Sequence, residues 1–293
     1  MKWYKLIFKQ NQPIHIGSVK WGVINETEIF IPGWTMWGAL TNQFLRTIGF
    51  SEIERAKKLF EHITNFYPAV ECEKVRCSNT DPLFPKYEKG DFYLGDYPEE
   101  KFKFEFVDTI VSTAIEPLLR STKDESLHEF EFILPKSKQD ISSSKQLYWI
   151  GLIGFEDDVI EKAKDFLKIS LKIYIGGDSK YGFGELELFS LDELKSEGGN
   201  TPEEVKKWDL DEDGHLFLDD NDNSLILKHF FEFSHEVRFE GEVKLLAEFD
   251  FTQNNPKVEN AGYFVNIGSQ IIIDDKNILK NHQLFKGKLI KNR

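Results

Sequence analysis

The chain has 293 residues, of which 40% are hydrophobic and 14% aromatic, enough apolar side chains for a packed core of one large or two ordinary domains. Its net charge of −13 argues against a uniformly basic surface of the kind that holds nucleic acid without specificity. No stretch approaches the roughly 18 uncharged apolar residues of a membrane span, and the N-terminus lacks a signal-peptide core, so we expect a cytoplasmic protein without membrane contact.

The charge is unevenly distributed along the sequence. Residues 190–260 hold 19 acidic and 7 basic side chains, a local charge of −12, whereas residues 1–60 hold 8 basic and 4 acidic ones, a local charge of +4. Residues 276–293 carry six basic groups and no acid. The two ends of the chain are therefore free to face a polyanion, and the acidic segment is expected to point away from it or to meet a basic neighbour.

The first elements are a strand and two helices. "KWYKLIFKQ" alternates polar and apolar residues as a strand does, and "PIHIGS" continues it. A helix is predicted from about Thr35 to Ile48, after the break at Pro32 and Gly33, and a second helix is predicted with Ser51 as its N-cap. Residues 65–103 are rich in Pro, Gly, Asp and Tyr and are predicted to form a long irregular insertion. Its two cysteines, Cys72 and Cys77, are interpreted as free thiols, with half of a zinc site as the alternative.

The next elements complete a recognisable pattern. Strand-like runs "KFEFVDTIVSTAIEP", "HEFEFILP" and "QLYWIGLIGF" precede a helix in "EDDVIEKAKDFLKI", a strand "SLKIYI", a glycine-rich loop and a strand "FGELELFSL". Together with the first strand and helix they indicate an α+β domain over residues 1–197, built on a ferredoxin-like βαββαβ unit. Residues 198–293 are predicted to be a smaller β-rich region, either an addition or a degenerate copy of the first domain.

The glycine-rich loop lies in "IGGDSKYGFGELEL", residues 175–188. Four glycines surround a short polar run, and glycine permits positive φ angles and close approach of another group to the backbone. Several backbone N–H groups are therefore expected to converge on an anion, with Lys180 nearby as a point charge. A glycine-rich hairpin that only reverses the chain explains the same residues.

Three segments together resemble the RAMP proteins, the RNA-binding subunits of CRISPR effector complexes. The segment "FIPGWTMWGAL" looks like the start of the first helix in that superfamily, and the glycine loop follows in the same order. Between them, "TAIEPLLRSTKDESLHEFEFI" resembles the pattern of the subunit that caps the 5′ handle of the crRNA in type III complexes. The residues that fit this pattern are Thr113, Ala114, Ile115, Glu116, Asp124, Ser126, Leu127 and Glu131. Pro117 and His128 depart from it, because arginine and tyrosine are usual at these two places.

This resemblance covers about residues 1–190 and implies an RRM-related fold and an RNA ligand. It implies recognition without catalysis or a cofactor, with the crRNA 5′ handle, the backbone RAMP subunits and a large or nuclease subunit as partners. Phosphates would meet the glycine loop, and bases would stack on loop aromatics. The predicted RNA-binding residues are His15, Ser18, Lys20, Trp34, Thr35, Arg120, Gly176, Gly177, Ser179, Lys180, Tyr181, Gly182 and Gly184.

Two other functions remain open from the sequence. His15 has the chemistry of a general acid or base, and some RAMP relatives are metal-independent ribonucleases that process crRNA. The segment from Asp209 to Asp220, "DLDEDGHLFLDD", has several of the oxygen ligands of an EF-hand calcium loop, although its ninth position is Phe217 and its twelfth is an aspartate. An acidic, solvated hairpin accounts for this segment equally well.

Overall fold

The computed structural model describes residues 1–70, 81–138, 144–157, 159–195, 201–219, 222–235, 237–250, 255–273 and 277–291. Cys72 and Cys77 lie outside these residues. The helices are α1 Gly33–Thr47, α2 Ile53–Leu59, α3 Glu99–Phe106, α4 Ile160–Phe166, α5 Glu203–Lys206 and α6 Asn277–Lys280.

The fold is a mixed α/β structure in which strands predominate. In chain order the strands are β1 Lys2–Gln10, β2 Gly17–Trp21, β3 Ile24–Thr27, β4 Tyr67–Val70, β5 Pro85–Glu88, β6 Asp91–Leu94, β7 Tyr97–Pro98, β8 Val107–Ser112, β9 Ile115–Glu116, β10 Ser121–Thr122, β11 His128–Ile133, β12 Leu147–Phe155, β13 Lys172–Tyr174, β14 Glu185–Leu194, β15 Ser224–Ile226, β16 Phe230–Glu232, β17 Arg238–Glu240, β18 Val243–Asp250, β19 Lys257–Val265, β20 Gln270–Ile272, β21 His282–Phe285 and β22 Lys288–Lys291.

A five-stranded sheet in the order β13-β14-β1-β12-β4 forms the centre of the molecule, and each strand is antiparallel to its neighbours. Every residue of β12 is buried. A strand that is covered on both faces needs apolar residues at every position, which explains why "LYWIGLIGF" is a continuous apolar run. Chain order runs from β1 through α1 to β4, and from β12 through α4 to β14, so that each helix connects two strands of this sheet.

The two faces of the central sheet are covered by different parts of the chain. On one face, Tyr4 packs on Phe155, and Phe44 of α1 contacts Phe60 and Phe166 of α4 at ring-centroid distances of 5.9 and 5.3 Å. On the other face, the Trp3 indole donates a hydrogen bond to the Glu212 carbonyl oxygen, and Lys5 pairs with Glu204 at 2.7 Å. Alternation of side chains along β1 therefore directs even positions to the helices and odd positions to the C-terminal region.

Smaller sheets surround this centre. One has the order β2-β3-β11-β8, the insertion forms β5-β6-β7, and β9 and β10 form a short hairpin. The C-terminal region contains the sheets β15-β20-β17 and β18-β19-β16-β22-β21. Both β2 and β18 are therefore edge strands of their sheets.

The N-terminal and C-terminal parts meet through buried polar contacts. The Asn65 side chain is fully buried; it accepts a hydrogen bond from the Gly33 N–H and donates to the Lys228 and Gly287 carbonyl oxygens at 3.0 and 3.1 Å. Tyr67 donates its hydroxyl hydrogen to the same Lys228 carbonyl. A Cβ at Gly33 would lie 2.5 Å from the backbone nitrogen of Gly287, so the two backbones touch. This contact explains the glycine in the "FIPG" segment.

Two sequence predictions about the segment between α1 and α3 were wrong. The insertion 65–103 is not irregular in its described part, because it contains β4 to β7 and the start of α3. These strands have two to four residues, too few for a periodic signal. Ser51 is not the N-cap of α2: that helix begins after Glu52, and the Ser51 hydroxyl donates to the Ile48 carbonyl oxygen at 2.8 Å, closing the end of α1 instead.

Candidate nucleic-acid interface

The glycine loop lies against the segment that follows β1. Gly176 has φ +71°, and a Cβ there would lie 2.1 Å from the carbonyl oxygen of His15. Gly184 has φ +98°, and its Cβ would lie 2.4 Å from the Ile175 carbonyl oxygen. Glycine is therefore needed at these two positions because the protein's own backbone lies too close for a side chain to fit.

The outer part of the loop is a single 3₁₀ turn, Ser179–Tyr181. Lys180 is exposed, and 82% of the Tyr181 side chain is accessible. Gly182 also has a positive φ, +86°, but a Cβ there would meet nothing within 4 Å. This turn is the part of the loop that is available to a ligand.

Several loop N–H groups already donate within the protein. Gly177 donates to the His15 carbonyl oxygen at 3.1 Å and Gly184 donates to the Pro13 carbonyl oxygen at 2.8 Å. Tyr181 and Gly182 donate to carbonyl oxygens inside the turn. An anion at this loop would consequently rely on side chains such as Lys180 more than on a ring of converging N–H groups.

His15 contacts the glycine loop through its backbone and its ring. Its Nδ1 lies 2.6 Å from the Glu131 carbonyl oxygen, and since a carbonyl only accepts, Nδ1 carries the hydrogen and Nε2 is the acceptor in the neutral ring. The ring packs edge-on against Phe130 at 5.6 Å and lies beside Gly17 and Gly177. These contacts hold the imidazole in place through packing and one hydrogen bond.

A groove of about 430 Å³ runs between the two edge strands β2 and β18. We call it the edge groove. Four predicted RNA-binding residues line it: Ser18, Trp34, Thr35 and Gly176. The opposite wall comes from the C-terminal region and consists of Phe230, Lys244, Leu245 and Leu246.

The side chains of the edge groove combine aromatic and charged groups. The half-buried Trp34 ring packs on Phe230 at a centroid distance of 5.1 Å and borders the groove. Glu28 accepts hydrogen bonds from the Ser18 hydroxyl at 2.8 Å and from Lys244 at 3.0 Å, so this carboxylate is neutralised by a lysine from the other part of the chain. The groove therefore offers an aromatic surface on which a base can stack. The Glu28 carboxylate in the groove is paired with a lysine.

Ser179 borders a second cavity of about 210 Å³ between α1 and the glycine loop. We call it the Arg46 cleft. Its other lining residues are Ala39, Asn42, Gln43, Arg46 and Tyr174.

Lys20 and Arg120 lie near the surface but outside both cavities. Lys20 is exposed on β2, two residues beyond Ser18. Arg120 is exposed at the tip of the β9–β10 hairpin with φ +50°. The base of that hairpin is closed by Ser126, whose hydroxyl lies 2.8 Å from the Thr113 hydroxyl and accepts from the Ala114 N–H at 3.1 Å. The motif residues Thr113, Ala114 and Ser126 thus act as a clamp that presents the hairpin.

Trp37 is a packing residue. Lys286 lies 3.7 Å from the centroid of the Trp37 ring, and the indole N–H donates to the Lys57 carbonyl oxygen.

The segment that resembles a calcium loop begins at Asp209. Asp209 is buried and pairs with Lys228 at 2.5 Å instead of facing a loop of oxygen ligands. In the described part of the chain no group of three or more His, Cys, Asp or Glu side chains is arranged to hold a metal, and Asp220 lies outside that part. The calcium alternative therefore finds no support among the described residues of this segment.

Sequence reasoning missed one wall of each cavity. Lys244, Leu245 and Leu246 line the edge groove although they are more than 200 residues from Ser18 and Trp34, a proximity that no local pattern reveals. Asn42 and Arg46 were available in the sequence: they are polar, one helical turn apart, and on the same face of α1 as Thr35. That spacing was the signal.

The family model of the RAMP superfamily matches residues 11–187 of the chain. The chain belongs to the RAMP superfamily. The matched residues include α1, the β9–β10 hairpin and the glycine loop, which carried the resemblance in the sequence, and one wall of the edge groove is formed by this RAMP portion. No curated protein matches the sequence.

Two solved structures share the fold of this chain. A chain of a type III-B Cmr-beta complex bound to cognate target RNA matches with a TM-score of 0.57 and 13% identity, over 98% of this chain and 99% of that one. A chain of the same type of complex bound to target RNA and AMPPnP gives a TM-score of 0.57 and 13% identity, over 92% and 86%. A weaker similarity, with a TM-score of 0.49 and 12% identity over 99% of this chain and 98% of that one, is to a chain of a Csm3–Csm4 subcomplex from a type III-A complex. No helix within the described ranges is long and apolar enough to cross a bilayer.

Proposed function

We propose that this RAMP protein is a non-catalytic RNA-binding subunit of a CRISPR effector ribonucleoprotein. It holds the 5′ handle of the crRNA in the edge groove and contacts the adjacent backbone RAMP subunit. The resemblance of residues 113–131 to the handle-capping subunit and the shared fold with chains of Cmr-beta complexes support this assignment.

The observation that carries the proposal is the convergence at the edge groove. The start of α1, the glycine loop and the strand after His15 were each predicted from sequence to meet RNA, and Trp34, Thr35, Gly176 and Ser18 line one cavity. A half-buried indole for a base and exposed lysines for the phosphates suit single-stranded RNA. The two exposed lysines are Lys20, two residues beyond Ser18, and Lys180, four residues beyond Gly176.

The fold that we propose for residues 1–197 is the ferredoxin-like unit. Numbering only β1, β4, β12 and β14 as strands one to four gives the spatial order 4-1-3-2, with α1 and α4 as the two crossover helices. β13 extends the sheet beyond β14. The hydrogen bonds from Gly184 to the Pro13 carbonyl oxygen and from Gly177 to the His15 carbonyl oxygen support this proposal, because they join the loop between β13 and β14 to the segment that follows β1.

Co-purification of RNA tests the proposal. The tagged protein is co-expressed with a CRISPR array and its neighbouring RAMP subunits, and the RNA that co-purifies is sequenced. Wild type is compared with Lys20→Glu/Lys180→Glu and with the control Lys2→Glu/Lys162→Glu, which makes the same change in net charge at exposed residues of β1 and α4 that do not line the edge groove.

We expect guides with one uniform 5′ end from wild type and from the control, and strongly reduced RNA from the Lys20/Lys180 variant, because two charge reversals at the proposed phosphate contacts repel the RNA. Folded wild-type protein that arrives in the complex without RNA would refute the proposal. Equal loss of RNA from both variants would also refute it, since the effect would then be one of net charge alone.

A further inference from the structure

The strands β18 and β19 form one margin of the C-terminal five-stranded sheet, and β18 has an unusual distribution of side chains. Side chains alternate between the two faces of a strand, and the charged ones of β18 point toward the rest of the protein. Lys244 pairs there with Glu28, and Glu248 pairs with Lys288. A strand with one face in water normally has the reverse pattern, with its polar residues outside.

The outward side chains of β18 are all apolar, and so are the residues opposite them on β19. Leu245 and Tyr263 are each 61% exposed. An exposed, contiguous apolar patch of this kind marks an interaction surface. We call it the outer face; its other exposed residues are Val243, Ala247, Phe249, Val258 and Ala261.

The outer face has a row of small side chains between two rows of large ones. Residues directly opposite each other on the two strands have neighbouring Cβ atoms and form rows across the sheet. The middle row contains only two methyl groups, so a hollow lies between two ridges. The rows, in order along β18, are Leu245 with Tyr263, Ala247 with Ala261, and Phe249 with Val258.

This profile is complementary to itself. Consider a two-fold axis that lies in the plane of contact, perpendicular to β18, and passes over Leu246. It places the Leu245 row of one copy over the Ala247 row of the other, and the reverse. Each ridge then enters a hollow, as the side chains of two packed sheets interdigitate, and the same patch is used by both copies, as in other two-fold dimers.

We propose that the outer face is an interface between two copies of this chain, packed face to face about a two-fold axis at Leu246. The second copy covers the apolar residues in protein that is free of other partners. Strands of eight and nine residues offer less than the roughly 800 Å² per partner of a typical stable interface, so the dimer is reversible, with a Kd in the micromolar range. The inference goes beyond RNA binding and does not depend on it.

Sedimentation velocity of the purified full chain without RNA tests the inference, at roughly 1 to 100 μM so that a micromolar Kd is bracketed. Tyr263→Ala removes half of a ridge, and Ala247→Phe fills the hollow. The second change makes the outer face more apolar, so it separates a specific fit from general apolar adhesion. Ile169→Ser is the control, because Ile169 is a similarly exposed apolar residue outside β18 and β19. All three positions are exposed, so folding is preserved.

We expect wild type and Ile169→Ser to dimerise alike, and we expect Tyr263→Ala and Ala247→Phe to raise the Kd at least about tenfold. Wild type that is monomeric at every concentration would overturn the inference and would mean that a different protein covers the outer face. Ala247→Phe that dimerises as tightly as wild type would also overturn it, since association would then not depend on the hollow. A loss of the dimer in Ile169→Ser would place the interface on another surface.

Discussion

Gly176 and Gly182 belong to one loop and both have positive φ, yet their surroundings differ. A side chain at Gly176 would run into the His15 carbonyl oxygen, whereas one at Gly182 would enter open space. Gly182 therefore meets only a conformational requirement, the positive φ. Gly176 also permits the close approach of the His15 backbone.

Alanine at each of these positions separates the two requirements. Gly182→Ala is expected to cost about 1 kcal/mol of unfolding free energy, because only the positive φ is strained. Gly176→Ala is expected to cost at least about 2 kcal/mol more, because the His15 backbone must also move. Urea denaturation followed by circular dichroism measures both, and equal losses would mean that the loop does not pack on His15 as described.

His229 is a buried group whose titration affects stability. Burial lowers its pKa from 6.5 to about 3, with adjacent Lys228 acting in the same direction, while Nε2 lies 3.0 Å from the Trp208 carbonyl oxygen. Between pH 6.5 and about 3 the unfolded chain binds a proton that the folded chain does not, so this residue lowers the unfolding free energy as the pH falls through that window. Asp209 works in the opposite direction, because burial raises its pKa to about 6.

We therefore predict that His229→Gln flattens the acid side of the stability curve. The difference in unfolding free energy between wild type and His229→Gln should shrink by about 1.4 kcal/mol per pH unit below pH 6.5, since one proton is exchanged and the contribution of Asp209 cancels in the subtraction. Urea titrations at several pH values give this difference. The exposed His235→Gln is the matched control and should give a curve parallel to wild type; a parallel curve for His229→Gln would contradict the assignment of a neutral, buried ring.

The elements that the sequence predicted are those with a long, continuous pattern. β1 and β14 were predicted from alternating apolar residues, β12 from a continuous apolar run and α1 from its helical period. α1 begins within two residues of its predicted start. The strands of the insertion are too short to give such a pattern. The region "KFKFEF" alternates like a strand but ends helix α3, where Phe102 and Phe106 are buried on one side and Phe104 is 80% exposed. There, packing of one helical face prevails over the local alternation.

The β9–β10 hairpin presents Arg120 in an exposed turn, because the clamp at its base closes the hairpin. A plot of the logarithm of the RNA association constant against the logarithm of the salt concentration has a negative slope. If Arg120 contacts an RNA phosphate, its removal should make this slope less steep by about 0.7, the value for one phosphate on a single strand. Arg120→Asn is the suitable change, since asparagine tolerates the positive φ of 50°. Binding of the guide RNA across a salt series measures the slope, and Lys162→Ala is the control that should leave it unchanged. An unaltered slope in Arg120→Asn would place the arginine outside the RNA contact.

At the scale of the whole molecule, the C-terminal region completes the site. Sequence analysis treated residues 198–293 as an appendage, but they cover one face of the central sheet through Glu204 and Glu212 and supply a wall of the edge groove. Side chains so distant along the chain come together only through the packing of two sheets, which single-sequence periodicity does not encode. The acidic side chains of this region are partly used in the same packing, as in the pairs Lys5–Glu204 and Lys228–Asp209.

This packing implies that both parts of the chain unfold together. Trp208 stacks on Tyr67 at 5.7 Å, and Asn65 bonds to backbone groups of α1 and of two C-terminal segments. Asn65→Ala leaves the Gly33 N–H without this partner, whereas the Lys228 and Gly287 carbonyl oxygens keep bonds from the Tyr67 hydroxyl and the Phe230 N–H. We therefore expect a loss of about 2 kcal/mol, the cost of one buried unsatisfied donor.

Two probes of unfolding decide whether the parts are coupled. Tryptophan fluorescence reports on buried Trp3, Trp149 and Trp208, and far-ultraviolet circular dichroism reports on all the strands and helices. With coupled parts, Asn65→Ala shifts a single urea transition to lower concentration and the two probes still coincide. Asn25→Ala, which removes one half-buried amide bond to the Glu129 carbonyl oxygen far from the junction, is the control and should shift the midpoint less. Separate transitions in wild type would instead mean that the edge groove is formed by two independently stable parts, and RNA binding would then have to stabilise their junction as well as fill the groove.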